Sequence, residues 1–310
     1  MKKFSKKTLF LFVAFLLIAI TSMLSCASYL YNKSIEDQRR EANLTIKSVD
    51  IPDFKIVYAE GGTGDTIVML HGNGASKDVW LSFAKYLTPN YRVIIPDLPG
   101  NGDSSKPLDK NYNIMSQMER LNLFVKELNL TKFHLVGHSL GGPIAGNYAA
   151  TYPQMVKTLA LFDSGGVKSP MKSELTLLRE KGINPYVIKD ENDFDRYMKM
   201  RFVQPPQMSP SIKEYSIERA MKAAPINEKI GKDILSDLFV LESKLERITA
   251  PTLIVWGDSD KVVHISSVGI FEKKIKNSQS AIIKDCGHVI MIEKPAETAS
   301  IYQGFLKGKN

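Results

Sequence analysis

The sequence contains very few cysteines and, beyond its first residues, no strong excess of either charge. Only two of the 310 residues are cysteine, Cys26 and Cys286, so no disulfide framework organises the fold. The formal net charge is +8, but four lysines among the first seven residues supply half of it. The remainder is mildly basic and lacks the arginine and lysine stripe that nucleic-acid binding requires, which excludes that class of function.

Long apolar runs are also scarce, and the one that stands out is at the N-terminus. Residues 9–20 are uniformly apolar, they follow the basic start, and no charge appears after them until Lys33. This pattern is typical of a signal peptide, and the uncharged stretch is also long enough for an uncleaved membrane anchor. Residues 1–32 are therefore predicted to be a signal peptide or membrane anchor. The protein is predicted to be exported and to contact the membrane surface through this segment.

Cys26 offers a further mode of attachment. Residues Met23–Cys26 resemble a bacterial lipobox, in which a small residue precedes the cysteine that becomes lipidated, although Met23 and Leu24 depart from the usual pattern. Lipidation of Cys26, an uncleaved anchor helix and simple cleavage all remain open from the sequence.

The rest of the chain alternates between strand and helix patterns. Its composition, 44% hydrophobic and 24% charged, is ordinary for a globular protein. The apolar runs are continuous rather than alternating, which indicates strands buried on both faces, as in a parallel sheet covered by helices. The predicted strands lie at 66–70, 91–95, 133–136, 157–162, 252–256 and 281–283, and the predicted helices at 78–87, 113–128 and 140–151. The fold class is therefore α/β.

Two segments depart from this alternation. Residues 33–48 are charged and compatible with a helix, and they are predicted to tether the membrane segment to the domain. Residues 167–247 have helical character and are interrupted by Gln204–Pro206. They are predicted to form a helical cap inserted between two halves of the core, at 49–166 and 248–310.

Apolar side chains in the predicted cap are candidates for binding an acyl chain. Thioethers and aromatic rings suit a flexible apolar ligand. Met198, Phe202 and Met208 are therefore predicted to contact the substrate. The alternative is that these side chains only pack the cap against the core.

The candidate nucleophile lies in Gly137–Gly141, which has the pattern G-x-S-x-G. A predicted strand ends directly before this segment and a predicted helix begins directly after it. A serine on such a turn adopts strained backbone geometry, and the flanking glycines are needed because a Cβ atom would crowd the turn. Ser139 is therefore predicted to be the nucleophile of an acyl-transfer reaction.

A histidine and an aspartate complete the predicted relay. Among the five histidines, only His288 lies in a loop after a late strand from which it can reach the serine. Its role is to take the proton of the nucleophile, and an aspartate would orient the ring. Asp260, Asp258 and Asp163 are all candidates for that aspartate, and the G-x-x-D spacing from Gly257 favours Asp260.

Two backbone N–H groups are predicted to stabilise the oxyanion that forms during acyl transfer. The first belongs to Leu140, directly after the nucleophile at the start of a helix. The second is assigned to Asn73, because Gly72 and Gly74 on either side allow a ligand to approach the backbone closely.

Taken together, these motifs resemble the α/β-hydrolase superfamily over nearly the whole chain after about residue 45. The segments that carry the resemblance are His71–Gly74, Pro96–Pro107, Gly137–Gly142, Gly287–His288 and Glu293–Pro295. The resemblance implies a mostly parallel central sheet flanked by helices, and it places the acid at Asp260. It also implies catalysis without a cofactor or metal.

Within the superfamily, Leu161–Gly166 and Phe202–Pro206 resemble cold-adapted bacterial lipases of the Moraxella/Psychrobacter type, which are related to membrane-anchored monoacylglycerol lipases. This resemblance implies a serine carboxylic-ester hydrolase that acts on acylglycerols or similar lipid esters. Two alternatives stay open. One is a carbon–carbon bond hydrolase of the same fold, and the other is a non-catalytic lipid-binding membrane protein.

Overall fold

One eight-stranded sheet organises the protein. The structure, a computed structural model, describes residues 27–308. The strand order across the sheet is β1-β2-β4-β3-β5-β6-β7-β8. Strands β3 to β8 run parallel to one another, and β1 and β2 form an antiparallel edge next to β4. The strands are β1 (Leu44–Ile51), β2 (Phe54–Gly61), β3 (Thr66–Leu70), β4 (Arg92–Pro96), β5 (Phe133–His138), β6 (Val156–Phe162), β7 (Thr252–Gly257) and β8 (Ser278–Ile283). The predicted α/β fold with a mostly parallel sheet is confirmed.

Helices cover both faces of this sheet, and short 3₁₀ turns join several of them. Side-chain caps fix several helix starts: Asn113 accepts from the backbone N–H of Ser116, and Asp190 from that of Asp193. The helices are α1 (27–41), α2 (Leu81–Ala84), α3 (Ile114–Glu127), α4 (Gly141–Thr151), α5 (Glu174–Glu180), α6 (Glu191–Arg201), α7 (Pro210–Asp233), α8 (Val268–Lys274), α9 (Ile290–Glu293) and α10 (Pro295–Lys307).

The interior strands contribute side chains to two separate apolar cores. In β3, for example, Val68 and Leu70 belong to one buried cluster, and Ile67 and Met69 belong to the other. The first cluster includes residues of α3, α4 and α8, and the second includes residues of α2, α9 and α10. Burial on both faces explains the continuous apolar runs in the sequence of these strands.

The predicted helical insertion is confirmed, because α5, α6 and α7 all lie between β6 and β7. The core strands on either side are neighbours: Leu159 of β6 is paired with Thr252 of β7. The sheet is therefore continuous across the insertion, and the two halves of the core meet directly.

The segment predicted to be a tether is folded onto the domain. Residues 33–41 belong to α1, and β1 begins at Leu44, which is buried. Arg39 of α1 forms a bidentate ion pair with Asp78, and Ile35 packs against the core. A segment with such contacts is fixed against the domain, and its role as a link between the domain and a membrane segment stays a prediction.

The predicted signal peptide or anchor lies almost wholly outside the described residues, and so does Cys26. Of the predicted segment 1–32, the structure describes residues 27–32, which are helical and belong to α1. Across residues 27–308, no helix combines the length and the apolar character needed to cross a bilayer.

Candidate active site

Ser139 occupies a sharp turn between β5 and α4. Its φ angle is 54°, in the left-handed region that L-residues rarely adopt. Close approaches hold the turn: a Cβ on Gly137 would lie 2.3 Å from the carbonyl oxygen of Gly141, and a Cβ on Gly141 would lie 2.4 Å from that of Leu70. Only glycine fits at either position, and the turn has the strained strand-to-helix geometry that a nucleophilic serine needs.

His288 and Asp260 are hydrogen-bonded to each other. The Nδ1 of His288 lies 2.9 Å from Oδ2 of Asp260, and both side chains are buried. The other carboxylate oxygen of Asp260 accepts hydrogen bonds from the backbone N–H groups of Val262 and Val263, at 2.7 and 3.0 Å. These three contacts fix the carboxylate. The Nε2 of His288 is buried and has no hydrogen-bond partner in the described part of the chain.

Asp258, one alternative acid, serves the turn rather than the histidine. Its side chain is half-buried and accepts hydrogen bonds from the Ser259 hydroxyl at 3.0 Å and, more weakly, from the backbone N–H of Cys286 at 3.4 Å. Its carboxylate thus helps to join the loop after β7 to the loop after β8, which carries His288.

Asp163, the other alternative, lies close to the pair without being hydrogen-bonded to His288. Asp163, Asp260 and His288 each place a polar atom within 4.8 Å of the other two. Asp163 Oδ1 accepts from the backbone N–H of Gly257 at 2.9 Å, and its Oδ2 is buried without a hydrogen-bond partner among the described residues. Burial, together with the charge of Asp260, raises the pKa of Asp163 well above its usual range.

The predicted oxyanion donors flank the elbow. Leu140 is the N-cap residue of α4, so its N–H lies at the positive end of that helix. Asn73 is buried in the loop after β3, and a Cβ on its neighbour Gly72 would lie 2.8 Å from the Cβ of Ser139. No hydrogen-bond partner of either backbone N–H is found within residues 27–308. Both groups are available to a ligand.

His138 positions the histidine loop, a contact that the sequence analysis did not predict. Its Nε2 donates to the backbone carbonyl of His288 at 2.7 Å, and the two rings lie 4.8 Å apart between centroids. Burial lowers the pKa of His138 well below its usual value, so its ring is neutral. Because His138 directly precedes Ser139, one hydrogen bond ties the strand that ends at Ser139 to the loop that carries His288.

Two further groups brace the surrounding loops. His71 donates from Nδ1 to the carbonyl of Gly72, and its Nε2 accepts from the N–H of Leu98. Glu293 accepts from the N–H groups of Gly287 and Val203, which links the histidine loop to the end of α6.

A cavity of about 530 Å³ lies beside these loops. Met198, Phe202 and Met208, the predicted substrate-contacting residues, are not among the residues that line it. Phe202 is buried in the core cluster of α2, α9 and α10, and Met198 packs against the same cluster. Their contact with an acyl chain stays a prediction.

The comparisons with known proteins agree with this geometry. Residues 65–187 and 209–295 match the family model described as alpha/beta hydrolase fold. The chain belongs to this family.

Relatives of the hydrolase carry the names of lipases. "Lipase 1" of Psychrobacter immobilis is 35% identical over 88% of this chain and 87% of its own length. "Monoacylglycerol lipase ABHD6" of Mus musculus is 30% identical over 86% and 84%. A solved structure titled as that of a membrane phospholipase A, a bacterial virulence factor, is 39% identical, covers 98% of this chain and 99% of its own, and superposes with a TM-score of 0.91. The chain is a carboxylic-ester hydrolase.

Several residues around the hydrolase's cavity were not predicted from the sequence. Tyr186, Tyr197 and Arg201 come from the insertion, and Tyr31 comes from α1. No local motif marks them, since they meet only when the insertion and α1 fold over the same loop. The nearest signal in the sequence is that Arg201 directly precedes Phe202–Pro206, a segment that resembles the cold-adapted lipases.

Proposed function

We propose that this hydrolase cleaves acylglycerols or similar lipid esters through an acyl-enzyme on Ser139. The observation that carries the proposal is the His288–Asp260 pair, because it leaves Nε2 of His288 without a hydrogen-bond partner among residues 27–308. The ring of His288 lies against that of His138, the residue directly before the strained turn at Ser139. A neutral imidazole with a free nitrogen is the group that a serine nucleophile needs as its base.

In the first half of the proposed reaction, Ser139 Oγ attacks the ester carbonyl carbon while His288 Nε2 takes the hydroxyl proton. The bond to the leaving alcohol then breaks, and His288 returns the proton to the alkoxide. Water attacks the acyl-enzyme in the second half, with the same proton transfers, and releases a carboxylic acid. Asp260 keeps the proton of the neutral ring on Nδ1 and stabilises the imidazolium that forms.

The backbone N–H groups of Leu140 and Asn73 would bind the oxyanion in both halves. Donors fixed in place before the reaction need no reorganisation when the charge appears. The start of α4 adds its positive dipole end at the same point. Removal of one such donor typically costs about 10²–10³ in kcat.

A lipid substrate also accords with membrane association of this chain through its N-terminus. The basic start and the apolar residues 9–20 support this proposal, as does the 39% identical relative that is titled a membrane phospholipase A. Attachment at the bilayer would place the insertion where lipid esters partition.

The direct test is Ser139→Ala in the full chain. We expect the kcat for a soluble p-nitrophenyl ester to fall about 10⁴-fold or more, while circular dichroism and the melting temperature stay close to those of the wild type. Ser259→Ala is the matched control, because Ser259 is exposed and lies in the loop next to Asp260. Retention of more than a tenth of wild-type activity in Ser139→Ala would contradict the proposal.

Two further assays separate the alternatives. A fluorophosphonate probe should label the wild type and fail to label Ser139→Ala, and a non-catalytic lipid-binding protein would not be labelled at all. A vinylogous diketone should be cleaved much more slowly than the ester. A carbon–carbon bond hydrolase would show the reverse preference.

A further inference from the structure

The cavity beside the active-site loops has a strongly one-sided charge. Four of the side chains that line it are basic, and none of the described residues that line it is Asp or Glu. The basic residues are Lys106, Arg201, Arg219 and Lys222. A concave surface with charge of one sign attracts ligands of the opposite charge.

The two arginines are oriented but not neutralised. Neither Arg201 nor Arg219 forms an ion pair with a carboxylate in the described part of the chain. Arg201 donates from Nη1 to the hydroxyl of Tyr197 at 2.6 Å and stacks 4.8 Å above the ring of that residue. Arg219 lies 4.6 Å above the ring of Tyr31. Stacking holds the planar fork of each guanidinium while leaving donors free, which suits bidentate binding of a phosphate.

The position of the cavity relates it to the proposed reaction. Gly74, which lines it, follows the candidate oxyanion residue Asn73. The backbone carbonyl of Arg201 accepts from the N–H of His288 at 2.8 Å. The cavity therefore begins next to the site of chemistry and extends to Tyr31 on α1.

Part of the remaining wall of the cavity is apolar, and Ser76, Asn101, Ser216 and Asn227 add uncharged polar groups. Val79, Ile188 and Ile226 line it together with Ala220 and Ala223. A ligand that suits both kinds of wall carries an anionic group and an apolar portion. Neutral acylglycerols have an apolar portion but no anionic group.

We propose that this cavity binds the phosphodiester of a glycerophospholipid, with Arg201 and Arg219 as the principal ligands of the phosphate. The inference rests on the proposed function, because it places the headgroup beside the ester that Ser139 attacks. It narrows the substrate class to phosphate-bearing lipid esters, and it makes these two arginines determinants of substrate specificity.

The test compares two substrates that differ only in the headgroup. Full-length protein in detergent micelles would hydrolyse lysophosphatidylglycerol and a monoacylglycerol with the same acyl chain. Wild type should prefer the phospholipid. In Arg201→Gln and Arg219→Gln, the ratio of kcat/KM for phospholipid over monoacylglycerol should fall about tenfold each, because a charge-assisted contact to phosphate is lost. Arg219→Lys should keep part of the preference.

Lys199→Gln is the matched control, because Lys199 is exposed on the same helix as Arg201 and does not line the cavity. The ratio should not change in this variant. An unchanged ratio in both arginine variants would overturn the proposal. Each variant is also assayed with p-nitrophenyl butyrate and by thermal unfolding, so that misfolding is recognised. If wild type hydrolyses none of these esters, the proposed function fails rather than the phosphate site.

A binding measurement provides a second, independent readout. Dodecyl phosphate should inhibit hydrolysis of p-nitrophenyl butyrate competitively, and its inhibition constant should rise about tenfold in Arg219→Gln. Laurate tests whether the cavity instead takes the carboxylate of a fatty-acid product, and inorganic phosphate tests whether the free anion suffices. Inhibition by laurate or by inorganic phosphate with none by dodecyl phosphate would contradict the assignment.

Discussion

At His288, the partner of one ring nitrogen determines the protonation of the other. The carboxylate of Asp260 can only accept a hydrogen bond, so Nδ1 of the neutral ring carries the proton and Nε2 presents its lone pair. His138 is oriented in the same way, because the backbone carbonyl of His288 also only accepts, which places the proton of His138 on Nε2. Two acceptors thus set the tautomers of neighbouring rings.

Asp260→Asn should therefore abolish most activity. The side-chain amide can donate to Nδ1, which would move the ring proton to Nε2 and remove the base. We expect kcat on a soluble ester at neutral pH to fall about 10⁴-fold. Asp258→Asn is the control and should change kcat only a few-fold, since Asp258 contacts a turn rather than the ring. A larger loss in Asp163→Asn than in Asp260→Asn would show that the acid is Asp163.

Asp163→Asn should increase the free energy of unfolding at neutral pH. Burial and Asp260 raise the pKa of Asp163, so the folded protein releases this proton at a higher pH than the unfolded chain does. Above about pH 4, that difference lowers the free energy of unfolding by up to about 1.4 kcal/mol per pH unit, until the folded group also ionises. Asparagine has no such proton to lose, and its Oδ1 can still accept from Gly257.

The measurement is urea unfolding of both proteins at several pH values between 4.5 and 7.5. The free energy of unfolding of Asp163→Asn should exceed that of the wild type by an amount that grows as the pH rises and shrinks toward pH 4.5. Asp258→Asn is again the control. Partial burial opposes ionisation of Asp258, but hydrogen bonds from Ser259 and Cys286 outweigh it and lower its pKa. That variant should therefore show no gain with rising pH. An advantage of Asp163→Asn that is independent of pH would refute this reasoning.

At the scale of elements, the sequence predicts the buried strands well and the sheet edge poorly. Strands β3 to β7 each have an apolar run because helices cover both faces, and all five were predicted; of the edge strand β8, which is mostly exposed, only the last residues 281–283 were predicted. Strands β1 and β2 were missed, because most of β1 is exposed and its pairing partner lies across a tight turn. The predicted helix at 78–87 proved shorter, with a 3₁₀ turn at Lys77–Trp80 before α2.

The candidate site shows the same division. Ser139, His288 and the preference for Asp260 were predictable, since local turns of fixed spacing place each residue at a strand end. The contact of His138 with His288 was not, because His138 occupies a variable position of the G-x-S-x-G pattern and no motif marks its partner. Arg219 and Tyr31 come from separate elements that meet only in the folded chain. Sequence motifs mark the chemistry, and tertiary packing assembles the cavity.

The docking of α1 can be tested through Arg39. Its bidentate pair with Asp78, in which both side chains are about one-fifth exposed, holds α1 against the turn before α2. Arg39→Ala should lower the free energy of unfolding by about 1 kcal/mol, the upper range for such pairs. Thermal unfolding would measure this. Lys33→Ala is the control, because its pair with Asp37 is exposed and long, at 3.6 Å, and should contribute nothing measurable. Equal losses in both variants would contradict a docking role for Arg39.

At the scale of the whole molecule, α1 connects the N-terminal segment to the insertion. Tyr31 packs edge-on against Tyr215 of α7 at 5.5 Å, and Ser28 donates to the hydroxyl of Tyr215 at 3.3 Å. An attachment before residue 27 would thus hold α7 and the basic cavity near the bilayer. Lipid substrates could then enter without crossing water.

Deletion of residues 1–26 should therefore separate membrane attachment from catalysis. The shortened protein should remain in the soluble fraction and keep its kcat on a short-chain soluble ester, because α1 and all eight strands are retained. Its activity on bilayer-borne lipid should fall. Deletion to Ser34 would also remove Ser28 and Tyr31 and should lower the melting temperature further. Sedimentation of the shortened protein with membranes would place attachment in the insertion instead.

Fatty-acid labelling of the full chain that disappears in Cys26→Ser would identify a lipid anchor at Cys26. Absence of labelling from the wild type would favour an uncleaved anchor helix.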